Sequence, residues 1–162
     1  MERDERDLLI AQYRDGYRVV SDALLKITAA ELDASPAPGK WTPRQIVHHL
    51  ADGEMTAAVR FRLLIAEDRP AIKGYDQDRF AERLHYDRPY EASLELFRAT
   101  RASTAELMAG LSEAEWLREG THSDIGRFGL DTWLRIYAPH AHQHAEQIRI
   151  ARSAASTAGT DA

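Results

Sequence analysis

Cysteine is absent from the 162 residues. That excludes a disulfide framework, a thiolate zinc site and a cysteine nucleophile. No apolar run approaches the roughly 20 residues of a membrane span, although apolar residues make up 44% of the chain. Positive charge is short: 21 Lys and Arg stand against 26 Asp and Glu, a net charge of -5. A nucleic-acid binder would show a basic patch or stripe, so no nucleic-acid partner is expected, and no membrane. The opening stretch MERDERDLLIAQ is charged and lacks the apolar core of a signal peptide, which makes the cytoplasm the expected location. Strand alternation of any length and internal repeats are missing too. What remains suits one soluble domain able to bury a real core.

Helical periodicity fills that domain. Leu9, Tyr13, Gly16, Tyr17, Val20, Leu24 and Ile27 form a first stripe, which DASPAPGK breaks through Pro36, Pro38 and Gly39. In KWTPRQ, Thr42 is placed as N-cap, Pro43 at the first helical position and Gln45 three residues on. That is a capping box with proline where its missing N–H costs nothing. The stripe that follows, Ile46, Leu50, Gly53, Ala57, Phe61 and Leu64, predicts a helix to about Ala66. A long polar connection holds one short helix near Asp78 to Leu84. A third helix starts near Tyr90 and carries Leu94, Phe97, Arg101, Thr104, Met108 and Leu111. SEAE repeats the capping pattern. EGTHSDIGRFG reads as a loop with a hairpin-like turn. A fourth helix starts near Leu130 with Trp133, Ile136, Tyr137, His140, His144 and Ile148 inward. Residues 1–152 thus form one all-α four-helix bundle, and the small polar residues 153–162 read as a disordered tail. The long second connection permits the second and third helices to run parallel.

His140 and His144 stand four apart, so they share a helix face with Cβ atoms roughly 5–6 Å apart. Two imidazoles at that spacing can reach one ion. His142 lies about 200° around the helix and cannot join them. By itself the pair is better explained as two partly buried histidines bonded to neighbours. A third ligand changes that balance. His49 borders the inward stripe of the second helix, whereas His48 turns about 100° away, so His49 is the better candidate.

At this point the chain resembles the DinB/YfiT-like superfamily, and most nearly its YfiT branch, named for metal-dependent hydrolysis. The likeness rests on Trp41 to Asp52 (WTPRQIVHHLAD), Arg60 to Leu63, Ile72 to Asp76 and His140 to His144, and runs from about residue 8 to 152. It implies an up-down-down-up bundle with a long crossover between helices 2 and 3. It also implies a homodimer and one divalent ion per chain, zinc or nickel, on His49, His140 and His144. His48, His85, His122 and His142 fall to the surface or behind the ligands. Pro139 departs from the pattern: it removes an N–H and crowds the Arg135 carbonyl, which predicts a kink above the site.

Three imidazoles leave a cation an open position, as catalytic zinc sites do. Asp52, three residues after His49 and on nearly the same face, is the candidate catalytic residue, to orient a ligand, hold water or act as base. An exposed or cap-like aspartate is the equal alternative. Gln147 follows His144 by one turn and suits a supporting role. Trp41 and Trp133 read as core. Tyr75 is placed to close over the site, and Arg44 and Arg60 to bind an anionic group or simply to be solvated. Three functions follow for a small-molecule substrate. The first is hydrolysis by activated water. The second is metal-dependent transfer of a low-molecular-weight thiol cosubstrate of the bacillithiol, mycothiol or glutathione type. The third is a non-catalytic metal-binding bundle.

Overall fold

The capping box of KWTPRQ forms as its spacing predicts. Gln45 N donates to Thr42 Oγ1 at 3.3 Å, and Thr42 N donates to Gln45 Oε1 at 3.0 Å. It opens helix α3, Pro43–Ala66, in the computed structural model, which describes residues 1–158. The other long helices are α1 (Arg3–Leu24), α5 (Glu91–Ala109) and α7 (Leu130–Ala158). Two one-turn helices, α2 (Ala29–Leu32) and α6 (Glu113–Trp116), are closed by boxes of the same kind, Thr28 with Glu31 and Ser112 with Glu115. Asp76 caps α4, Gln77–Arg83, in the crossover.

The four long helices form the bundle. α1 packs on α7 and α5, and α3 packs on α5 and α7. The order is up-down-down-up, with α3 and α5 side by side in one direction. The predicted stripes supply the core: Tyr13, Val20, Ile46, Leu50, Phe61, Leu64, Phe97 and Trp133 are all 0–1% exposed. Ile136, expected inward, is exposed, and Leu134 is buried instead.

The core also holds a charge. Arg101, on the inward stripe of α5, donates from Nε to Glu54 Oε2 at 3.0 Å, from Nη1 to Tyr13 O at 3.0 Å and from Nη2 to Tyr137 O at 3.0 Å. Tyr13 Oη donates to the other Glu54 oxygen. Every group in this knot is satisfied, the condition for a buried pair to be tolerable. It ties α1, α3, α5 and α7 at one level. Gly16 makes room for it, because a Cβ there would meet Arg101 Nη1 at 1.8 Å.

Three short strands modify the all-helical expectation. β1 (Ala71–Ile72) pairs parallel with β2 (Glu119–His122), and β2 pairs antiparallel with β3 (Gly126–Gly129). The hairpin-like turn is real. The two-residue strand was invisible because alternation needs more residues than two. Its pairing pins the crossover to the loop before α7. α7 runs continuously through Pro139. It also extends to Ala158, into the segment read as a tail: alanine favours helix, and Ser153 Oγ donates back to Arg149 O at 3.0 Å. Residues 159–162 of that tail lie outside the described residues. Among the described residues, no helix is long and apolar enough to cross a membrane.

Candidate metal centre

α3 and α7 pack together, and this contact brings His49 to the pair on α7. His49 Nε2 lies 3.2 Å from His140 Nε2, which lies 3.1 Å from His144 Nε2. Ligand atoms of all three lie within 4.8 Å of one another. Burial holds the rings neutral. The His49 pKa is pushed down to about 3 by burial and then by His144, and that of His140 to about 2 by burial and then by its two neighbours. Burial lowers His144 as well, against the pull of Gln147.

Gln147 Oε1 lies 2.9 Å from His144 Nδ1. An oxygen can only accept here, so Nδ1 carries the hydrogen and Nε2 presents its lone pair to the cluster. The supporting role expected of Gln147 has a geometric basis. Trp41 does not sit in the core as expected. It is half-buried, 4.5 Å from the His49 ring and stacked at 6.4 Å and 14° on His144. The tryptophan opening the WTPRQ stretch is thus a wall of the cluster, fixed there because the Thr42 cap sets how the chain enters α3.

His142 faces the other way, with Nε2 donating to Gln12 O at 3.1 Å. His85 is exposed. Two histidines assigned to the surface or behind the ligands are buried and bonded elsewhere. His48 donates from Nε2 to Arg88 O at 3.1 Å and pairs through Nδ1 with Ser93 Oγ at 2.8 Å. His122 accepts through Nδ1 from Asp124 N at 3.1 Å. The bonding of His48 has no signature in sequence, since both its partners come from the end of the crossover and from α5.

Asp52 is buried on α3, and its Oδ2 accepts from Tyr86 Oη at 2.7 Å. Among the described residues its carboxylate bonds to Tyr86 and not to the three histidines. Its charge nevertheless reaches Tyr75, raised to about 12 by burial first, then by Tyr137 and Asp52. Tyr86 belongs to the site's surroundings and was missed, because nothing marks it within the polar crossover. Arg44 pairs with Asp33. Arg60 is buried and donates from Nη1 to Tyr137 Oη at 2.8 Å and from Nη2 to Lys73 O at 2.7 Å.

Two cavities flank the cluster. One of about 640 Å³ is lined by Lys40, Trp41, Asp78, His144 and Gln147. The other, about 230 Å³, is lined by Arg60, Tyr75, His122, Tyr137 and His140.

The chain is similar in sequence and fold to known proteins. A protein of Oceanobacillus iheyensis named "Putative metal-dependent hydrolase" is 34% identical over 139 residues, covering 86% of this chain and 81% of that one. A protein of Bacillus cereus strain AH820 with the same designation is 28% identical over 142 residues, 88% of this chain and 82% of its own. The solved structure of YfiT from Bacillus subtilis, titled "a probable metal-dependent hydrolase with an unusual four-helix bundle topology", superposes with a TM-score of 0.87 at 27% identity, covering 98% of this chain and 90% of that one. The family model of the DinB superfamily matches residues 12–148, and the chain belongs to that superfamily.

Proposed function

We propose that the protein is a metal-dependent hydrolase of a small-molecule amide or ester, with one zinc or nickel ion held by His49, His140 and His144. The convergence of three neutral Nε2 atoms carries this reading. A tetrahedral centre with metal–nitrogen distances near 2.1 Å sets its nitrogens about 3.4 Å apart. The 3.2 and 3.1 Å separations here already approach that spacing. Neutral imidazole is the form that binds metal. When bound, a divalent ion on this set supplies Lewis acidity, making water acidic enough to ionise near pH 7 and polarising a carbonyl.

The chain's own groups divide the remaining work. Gln147 holds the His144 tautomer. Trp41 excludes water from one side of the imidazoles, and the 640 Å³ cavity beside it admits substrate. His49, His140 and His144 are spent as ligands, and a buried carboxylate beside them is the proton acceptor in this reading. Of the two carboxylates buried among the described residues, Glu54 is consumed by Arg101 and Tyr13, and Asp52 remains. The names of the relatives favour hydrolysis over thiol transfer. A homodimer is part of the reading on resemblance alone, and sedimentation checks it separately.

The test is a panel of esters and amides with the zinc- or nickel-loaded protein, run beside small thiols with model electrophiles. Hydrolysis that rises with pH through one ionisation near 7 is expected. Asp52→Asn should retain the ion and lose roughly ten- to a hundredfold in rate. Turnover that requires a thiol, with none in water alone, would replace hydrolysis by transfer.

A further inference from the structure

Arg60 is 8% exposed, and among the described residues no carboxylate pairs with it. Its Nε is buried with no hydrogen-bond partner. Guanidinium is charged at any physiological pH, and a buried unpaired charge is costly. Evolved interiors seldom carry such a charge without a use. Arg60 lines the 230 Å³ cavity that also touches His140.

The other groups facing that cavity are mostly donors. Tyr137 Oη accepts from Arg60 Nη1, so its own hydrogen is free to donate. His122 accepts at Nδ1 from Asp124 N, so its Nε2 carries the hydrogen. Tyr75 lies beneath the Arg60 guanidinium, 5.7 Å from Arg60 Cζ to ring centre. The cavity also meets the histidine cluster closely. A Cβ on Gly53 would stand 3.4 Å from Tyr75 Oη and 3.6 Å from His140 Cε1. Asp124 is the acid in the lining, and it sits exposed at the rim.

We propose that this cavity is an anion subsite in which Arg60 and Tyr137 take the carboxylate of the substrate, placing the bond to be cleaved at the three histidines. The assignment rests on the hydrolase reading for its second half only. A single carboxylate fits better than a phosphate. The guanidinium offers a planar fork to two oxygens, the space is small, and Asp124 at the rim opposes a second negative charge. The substrate class is then a short N-acyl amino acid or a similar acid with its amide or ester a few bonds from the carboxylate.

Calorimetric titration of both metal-loaded and chelator-treated protein tests this, with N-acetylglycine, its neutral methylamide and inorganic phosphate as probes. N-acetylglycine should bind both forms, and the methylamide about tenfold more weakly or not at all. Arg60→Lys and Tyr137→Phe should each weaken N-acetylglycine about tenfold while leaving metal affinity unchanged. If Arg60→Lys does not fold, Tyr137→Phe carries the test. Four results would overturn the subsite: equal binding of the methylamide, undiminished binding by the folded variants, preference for phosphate, or N-acetylglycine binding that disappears with the metal. Failure of the metal reading has a different signature, since it would leave N-acetylglycine bound to a protein that takes up no zinc or nickel.

Discussion

A single side-chain direction separates the three histidines of the α7 segment HAHQH. His140 and His144 point at α3, and His142 points at α1, where Gln12 O accepts from it. Alanine at His49, His140 or His144 is therefore expected to abolish stoichiometric zinc or nickel in elemental analysis, each removing one of three ligands. Alanine at His142 should leave occupancy intact. Equal loss from His142→Ala would contradict the face assignment. Asp52 shows how a residue's surroundings redirect its role. It lies on the expected face of α3, yet its carboxylate is engaged by Tyr86 from the crossover, so any proton it accepts must be shared with that hydrogen bond.

At the scale of elements, the bundle is set by how closely α1 can approach α5 and α7. Gly16 allows the Arg101 guanidinium to lie against α1, and Arg101 in turn bonds the backbones of α1 and α7. A Cβ at residue 16 would also stand 2.8 Å from Ala141 Cβ. Gly16→Ala is expected to destabilise by roughly 1–3 kcal/mol, the usual cost of overpacking, even though alanine is the better helix former. Urea unfolding measures it. A neutral or stabilising result would mean that Arg101 leaves its pocket without cost. The short sheet acts at the same scale: by clamping the crossover to the hairpin before α7, it positions Tyr75 and His122 around one cavity.

For the whole molecule, the buried histidines couple stability to pH. Folded His49 and His140 stay neutral down to about 3 and about 2, whereas the ordinary histidine value is 6.5. Below that value the unfolded chain binds protons that the folded chain refuses, so stability rises with pH and falls as pH drops. In metal-free protein the loss should begin below 6.5 and continue towards 3, at roughly 1 kcal/mol per pH unit for each such histidine. Above pH 7 these groups should contribute no slope. Denaturant midpoints from pH 8 to 4, with chelator present, check this; a flat profile would show that the rings are open to protonation in the folded state. Zinc or nickel at a thousand times its Kd should add about 4 kcal/mol, and chelation should reverse it.

The sequence by itself determined the local features. The Thr42 box, the apolar stripes and the spacing of His140 and His144 are short-range properties, fixed by helix geometry and readable from one strand of letters. They sufficed for four long helices and for separating His142 from its neighbours. The resemblance of WTPRQIVHHLAD supported His49, because choosing a partner on another helix needs more than periodicity. The tertiary structure alone decided what depends on distant approach. It buried His48 against a carbonyl and a hydroxyl far along the chain, and His122 beside the Asp124 amide of its own hairpin. It drew Trp41 out of the expected core to stack on His144, gave Asp52 a tyrosine, and left Arg60 buried with no counter-charge among the described residues. These contacts join the crossover and the hairpin to α3 and α7, and the packing of elements, not the period of any one of them, sets which groups meet there.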